Sequence, residues 1–264
     1  MRWISCVVLM TFAGPVLAQT QQKAPTQYDV VTVKPAKAGE TSSYWRWTSD
    51  GFEAHNMYVK MMLAGSYNVK SWLVFGLPAW AESTGWDMQA KVLDADTKPI
   101  EKLTPQERNT LMLSLLRDRF GLVAHTESKV QPVFVMTTLP EGIKLKASPA
   151  PPAGEPEPKF GRTTYAMNTG KLEGKYVTMK QLADVLSGEV ERTIVDKSGV
   201  TGDYDVNLKW TPERRINAGD NGTAGETAPS IYEALKEQAG LKLTADKAPV
   251  PTVIVDKLVQ PEAN

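Results

Sequence analysis

Two histidines, one cysteine and a scatter of tryptophans are the residues of this chain best suited to chemistry. His125 and Glu127 stand two apart in a β-rich stretch. On a strand both would project from one face. There an imidazole and a carboxylate can share a metal ion or serve as acid and base. The plainer alternative is a surface histidine beside a glutamate on an edge strand, and it is the weightier of the two. His55, next to Asn56 ahead of a helix, reads as a turn or capping residue. A zinc site would need both histidines to converge from distant segments, so no metal and no cofactor is expected. Asp87 and Asp205 each follow an aromatic residue at matching places in the chain. Paired carboxylates can hydrolyse glycosides when correctly separated, but matching places point to one structural task, capping a turn, done twice. Trp45 and Trp47, in Tyr44-Trp-Arg-Trp47, would share one strand face, and with Trp72 they are the candidate binding residues. An exposed indole can stack on a sugar ring or grip a peptide; a buried sheet face is the competing role.

Beyond these residues the chain carries no nucleophile elbow, no Ser-x-x-Lys, no His-Glu-x-x-His and no glycine-rich phosphate loop. The reading therefore leans away from an enzyme. Thirty Lys and Arg against thirty Asp and Glu leave no excess of positive charge for nucleic-acid binding. A single cysteine excludes a disulfide framework and any Cys-rich metal site.

Residues 1–18 read as a secretory signal peptide: Arg2 in front, an apolar run from Ile4 to Phe12, and Val16-Leu17-Ala18 before Gln19. The apolar run is about half of what a membrane-spanning helix needs, and no later stretch is long enough. A secreted or periplasmic product without a membrane span is expected.

The elements that must position these residues come in two copies. Leu116-Arg-Asp-Arg-Phe-Gly-Leu122 parallels Leu235-Lys-Glu-Gln-Ala-Gly-Leu241 at an offset of 119 residues. Pro132–Met136 parallels Pro251–Val255 at the same offset, and two upstream blocks match at 118 and 120. Each copy predicts a helix, a strand of alternating polarity, a second helix and a pair of strands. Thr178-x-x-Gln181, Thr104-Pro-Gln-Glu107 and Ser230-Ile-Tyr-Glu233 are capping boxes. Gly121 and Gly240 stand where a left-handed residue would end each second helix. The first copy adds a leading strand, Tyr28–Lys34, and a second helix about two turns longer. The strand pairs are expected within each copy, Leu122–Glu127 with Val133–Thr138 and Leu241–Ala245 with Thr252–Asp256. The fold class is α+β, as two tandem pseudo-repeats of a βαβ-type unit over 19–146 and 160–264. They are joined by a proline-rich linker, 147–159, with a polar loop at 211–229.

Several of these blocks resemble a family of secreted acidobacterial proteins known as domain of unknown function 3738. The motifs are Tyr28-Asp-Val-Val-Thr-Val-Lys-Pro35, Gly76-Leu-Pro-Ala-Trp80, Leu115-Leu-Arg-Asp-Arg-Phe-Gly-Leu122 with His125-x-Glu127, Val195-Asp-Lys-Ser-Gly-Val-Thr-Gly-Asp-Tyr-Asp205, Glu237-Gln-Ala-Gly-Leu241 and Pro261-x-x-Asn264. Val-Val-Thr-Val-Lys stands where that family usually reads Val-Ala-Ser-Ile-Lys. The resemblance implies an extracytoplasmic sensing or binding role and assigns no catalytic residue. Each helix–Gly-Leu–strand segment is also similar to the short N-terminal domain of secretins and TonB-dependent receptors, a module that docks other proteins.

Together these observations predict an exported, non-catalytic binding or scaffold protein of the cell envelope, with a protein or peptide partner. The alternatives are an envelope hydrolase acting on glycan or peptide through His125 and Glu127, and a carbohydrate-binding module using Trp45, Trp47 and Trp72.

Overall fold

The computed structural model describes residues 23–93, 97–149, 162–165, 170–212 and 228–262, with the backbone alone at 162–165. The expected signal peptide, most of the expected proline-rich linker and most of the polar loop lie outside the described residues. In chain order come β1 (Val30–Pro35), β2 (Tyr44–Trp47), β3 (Gly51–Met57), α1 (Val59–Tyr67), a 3-10 turn (Ser71–Leu73) and β4 (Val74–Phe75). Then follow α2 (Trp80–Ser83), β5 (Trp86–Lys91), α3 (Pro105–Phe120), β6 (Val123–Thr138), β7 (Lys146–Ala147) and β8 (Arg162–Tyr165). The last group is β9 (Lys171–Val177), α4 (Met179–Glu189), β10 (Ile194–Asp196), β11 (Tyr204–Lys209), α5 (Ile231–Ala234), extended by a π-helical turn to Ala239, and β12 (Leu241–Lys257). The expected α+β class is what the chain forms.

Two compact units result, and neither is continuous in sequence. One comprises Met1–Met62, Ala79–Leu122 and Val259–Asn264; the other comprises Leu63–Pro78 and Val123–Leu258. The first holds the sheet β1-β5-β3-β2, antiparallel throughout. Its inner face is apolar at every second position: Val31 and Val33, Phe52 and Ala54, Met88 and Ala90 are buried. Trp47 packs against the cluster of Ile100, Leu103 and Leu111, and Trp86 meets Phe120 edge to face at 5.5 Å. The 16-residue α3 starts at a complete Thr104–Glu107 capping box and ends at Gly121, which is left-handed at φ 56°.

The second unit holds the sheets β10-β6-β12-β4 and β7-β11-β9-β8. Leu182 and Leu186 of α4, Val206 and Leu208 of β11, Met136 and Leu241 share its core. The Thr178 and Ser230 capping boxes are formed as expected, and Gly240 ends its helix at φ 70°. Ala147 and Ser148, at the head of the proline-rich stretch, belong to this unit: Ala147 pairs with Tyr204 and the Ser148 hydroxyl donates to Asp205.

The expected strand pairs within each copy do not form. β6 and β12 each run unbroken and pair antiparallel with one another, from Leu241 opposite Thr138 to Lys257 opposite Val123. Pro132, Pro249 and Pro251 lie inside this ribbon rather than in turns. β10 reaches only Phe134–Met136 and β4 only Val253–Ile254. Between those points each strand has one neighbour among the described residues, so a proline nitrogen directed away from it forfeits no ladder bond.

A polar groove on the first sheet

The outer face of β1-β5-β3-β2 is built from the positions that alternate with the buried ones. Cross-strand register assembles them into two rungs. One runs Thr32–Gln89–Glu53–Arg46. The other sets Lys34 opposite Asp87 and His55 opposite Tyr44. What brings the two halves of the second rung together is a bulge. Ala54 faces Met88 and Met57 faces Trp86, so His55 and Asn56 together oppose Asp87 alone. Asn56 is left-handed at φ 49°, a conformation asparagine tolerates better than most residues. Its N–H donates to Asp87 Oδ1 at 3.0 Å, and its amide donates to the carbonyls of Glu40 and Ser42. A Cβ on Gly85 would collide with the Asn56 amide oxygen, so glycine there makes room for this anchor.

The bulge aims His55 between two carboxylates. Nδ1 lies 2.9 Å from Asp87 Oδ1 and Nε2 lies 3.5 Å from Glu40 Oε2. The Tyr44 ring lies against the imidazole, with centroids 5.4 Å apart and planes at 31°. Glu40 is fixed in turn by Ser42, whose hydroxyl and N–H donate to its carboxylate. These bonds hold its pKa down to about 2. Arg46 donates twice to Glu53, at 2.9 and 2.6 Å. The result is a groove of about 380 Å³ whose acids are all internally partnered. Among the described residues no cluster of three His, Cys, Asp or Glu side chains is arranged to hold a metal ion.

The expected site residues are placed elsewhere. His125 is half exposed and pairs with Asp256 at 2.8 Å, whereas Glu127 pairs with Lys129 at 2.9 Å. No hydrogen bond or ion pair joins His125 to Glu127. Trp45 and Trp47 lie on the face of β2 opposite Tyr44, with ring centroids 5.9 and 5.3 Å from the buried Phe52. Trp47 is partly buried, with the Arg108 guanidinium 5.7 Å above its ring, while Trp45 is 50% exposed. Trp72 belongs to the other unit, partly buried against Leu73, Val133, Val135 and Val250.

Asp87 and Asp205 stand at matching places, but neither caps a turn ahead of its strand: each lies inside a strand opposite a bulge. In the second unit Lys175 and Tyr176 oppose Asp205 in an equivalent bulge, with Tyr176 left-handed at φ 56°. There Asp205 acts through Ser148: the Tyr176 N–H donates to the serine oxygen and the serine hydroxyl donates to Asp205. Sequence reasoning missed the groove around His55. The available signal was Asn56, which follows the alternating run of β3 and can adopt the backbone a bulge requires.

Fold and site thus define a mixed α+β protein with a polar groove on one antiparallel sheet. The family model described as protein of unknown function (DUF3738) matches residues 60–258, and the chain belongs to that family. β5, with Asp87 and Gln89, falls within the matched span; β1, β2 and β3 precede it. No curated protein and no solved structure matches the chain.

Proposed function

We propose that the chain is an exported, non-catalytic binding protein of the cell envelope, and that its partner is a protein or peptide segment added as a strand along β2. The observation that carries this reading is the terminal position of β2 in its sheet, with Tyr44 and Trp45 each 50% exposed on opposite faces. Thr48 and Gly51 close the hairpin with a backbone bond, so the alternation of antiparallel bonding turns the Trp45 N–H and carbonyl away from β3. An edge of that kind is a template for another chain unless charge, proline or a covering segment blunts it. Tyr-Trp-Arg-Trp offers one charge, already spent on Glu53. Strand addition supplies main-chain affinity while alternate side chains select sequence. The likeness to secretin and TonB-receptor docking modules points the same way. Matching strand orders and matching bulges in the sheets β1-β5-β3-β2 and β7-β11-β9-β8 support a duplicated α+β unit as the origin of the chain.

The test is selection of a random peptide library against residues 19–264, followed by binding to Trp45→Pro. Proline removes the outward N–H at an edge position and leaves the β3 ladder intact. Enriched peptides that bind the parent chain and lose binding to the variant support strand addition. Peptides that bind both equally place the interaction elsewhere.

A further inference from the structure

We infer that the outer face of the first sheet is a binding site for a short neutral saccharide, with the Tyr44 ring as its stacking platform. The inference concerns the opposite face of β2 from Trp45 and stands apart from strand addition.

Three observations carry it. First, the platform is rigid before any ligand arrives. Tyr44 is held by the His55 imidazole behind it and by the Arg46 guanidinium 5.9 Å from its ring centroid. His55 is itself held by Asp87 and Glu40. Preorganisation of this kind lowers the ordering cost that binding otherwise carries. Second, the carboxylates of the groove are settled internally. Glu53 is matched by Arg46, Asp87 by His55 and the Asn56 N–H, and Glu40 by Ser42. A cationic ligand therefore meets no unopposed carboxylate. Third, the groups left over suit hydroxyls. Among the described residues the Thr32 hydroxyl, the Gln89 amide and the Lys34 ammonium have no hydrogen-bond or ion-pair partner. The first two both donate and accept, as does each hydroxyl of a sugar. A pyranose also has an apolar C–H face, and a half-exposed phenol ring flanked by polar groups accommodates both aspects. A volume near 380 Å³ lies within the range of small-molecule sites, about 300–1,000 Å³.

Saturation-transfer NMR with cellobiose, maltose, lactose and N,N′-diacetylchitobiose, and with glucuronate as a charged comparison, tests the site on the full chain. At least one disaccharide is expected to receive saturation. Tyr44→Ala should weaken that binding about tenfold, Tyr44→Trp should restore it, and Gln89→Ala should weaken it a few-fold. Thermal melting of the parent and variants separates loss of binding from loss of fold. Trp45→Pro should leave saccharide binding unchanged, so failure of the strand-addition reading and failure of this one are distinguishable. The inference is overturned if no disaccharide binds, if binding persists in Tyr44→Ala, or if glucuronate alone is bound.

Discussion

Glu40 and Asp87 hold His55 by different means, and each can be tested alone. The Glu40 carboxylate is stabilised as the anion by the Ser42 hydroxyl and N–H, which lowers its pKa to about 2 from an ordinary 4.5. A carboxyl whose folded pKa lies below its unfolded one contributes stability above the unfolded value and loses it as pH falls through the folded one. The Ser42 amide resonance should therefore titrate with a midpoint near 2, and a midpoint near 4.5 would mean that the loop is not held in this way. Asp87 faces inward to the bulge. Asp87→Ala strands the Asn56 N–H, which belongs to a buried residue, so a loss of about 1–3 kcal/mol is expected in urea unfolding. Asp87→Asn keeps an acceptor and should lose less; equal losses would place the cost in His55 rather than in the bulge. That both aspartates do structural work was legible from their matching places; that each stands opposite a bulge rather than capping a turn was not. The gathering of His55, Tyr44 and Glu40 was not, because it depends on a one-residue bulge that redirects His55 relative to β5.

Helix ends were the most legible elements, since a cap is decided within four residues. All three capping boxes and both terminal glycines are present where the spacing put them. Thr104→Ala and Thr178→Ala should each cost about 1 kcal/mol. The glycines separate strain from crowding. Both are left-handed, but a Cβ on Gly121 would meet only the Val259 side chain at ordinary contact distance. A Cβ on Gly240 would collide with the Gly142 carbonyl. Gly121→Ala should then cost about 1–2 kcal/mol, the left-handed penalty alone, and Gly240→Ala distinctly more in the same urea series; the reverse order would contradict the close approach. Strand partners were the least legible elements. Pro132, Pro249 and Pro251 carry the local marks of turns. Nothing local distinguishes a hairpin within one copy from a ribbon between two.

That ribbon decides how the second unit holds together. Two tandem copies on a spacer would be two bodies joined by one covalent tether. The observed pairing is different: β6, ahead of the proline-rich stretch, and β12, after it, share sixteen cross-strand pairs. β4, ahead of that stretch, adds to β12, and β10, after it, adds to β6. Val133, Val253 and Leu241 are fully buried there, and the buried Thr252 hydroxyl donates to the Glu127 carbonyl across the ribbon. Cutting the chain between the copies breaks one peptide bond and none of these contacts. A specific protease site inserted between residues 150 and 160 provides the test. After cleavage the two fragments should co-elute in size exclusion and part only when denaturant is added. Apolar burial across a four-stranded sheet, at about 25 cal/mol per Å², outweighs the loss of a tether whose closure entropy grows only slowly with loop length. Separation under native conditions would mean that the copies are independent bodies and that the β6–β12 pairing is not what joins them.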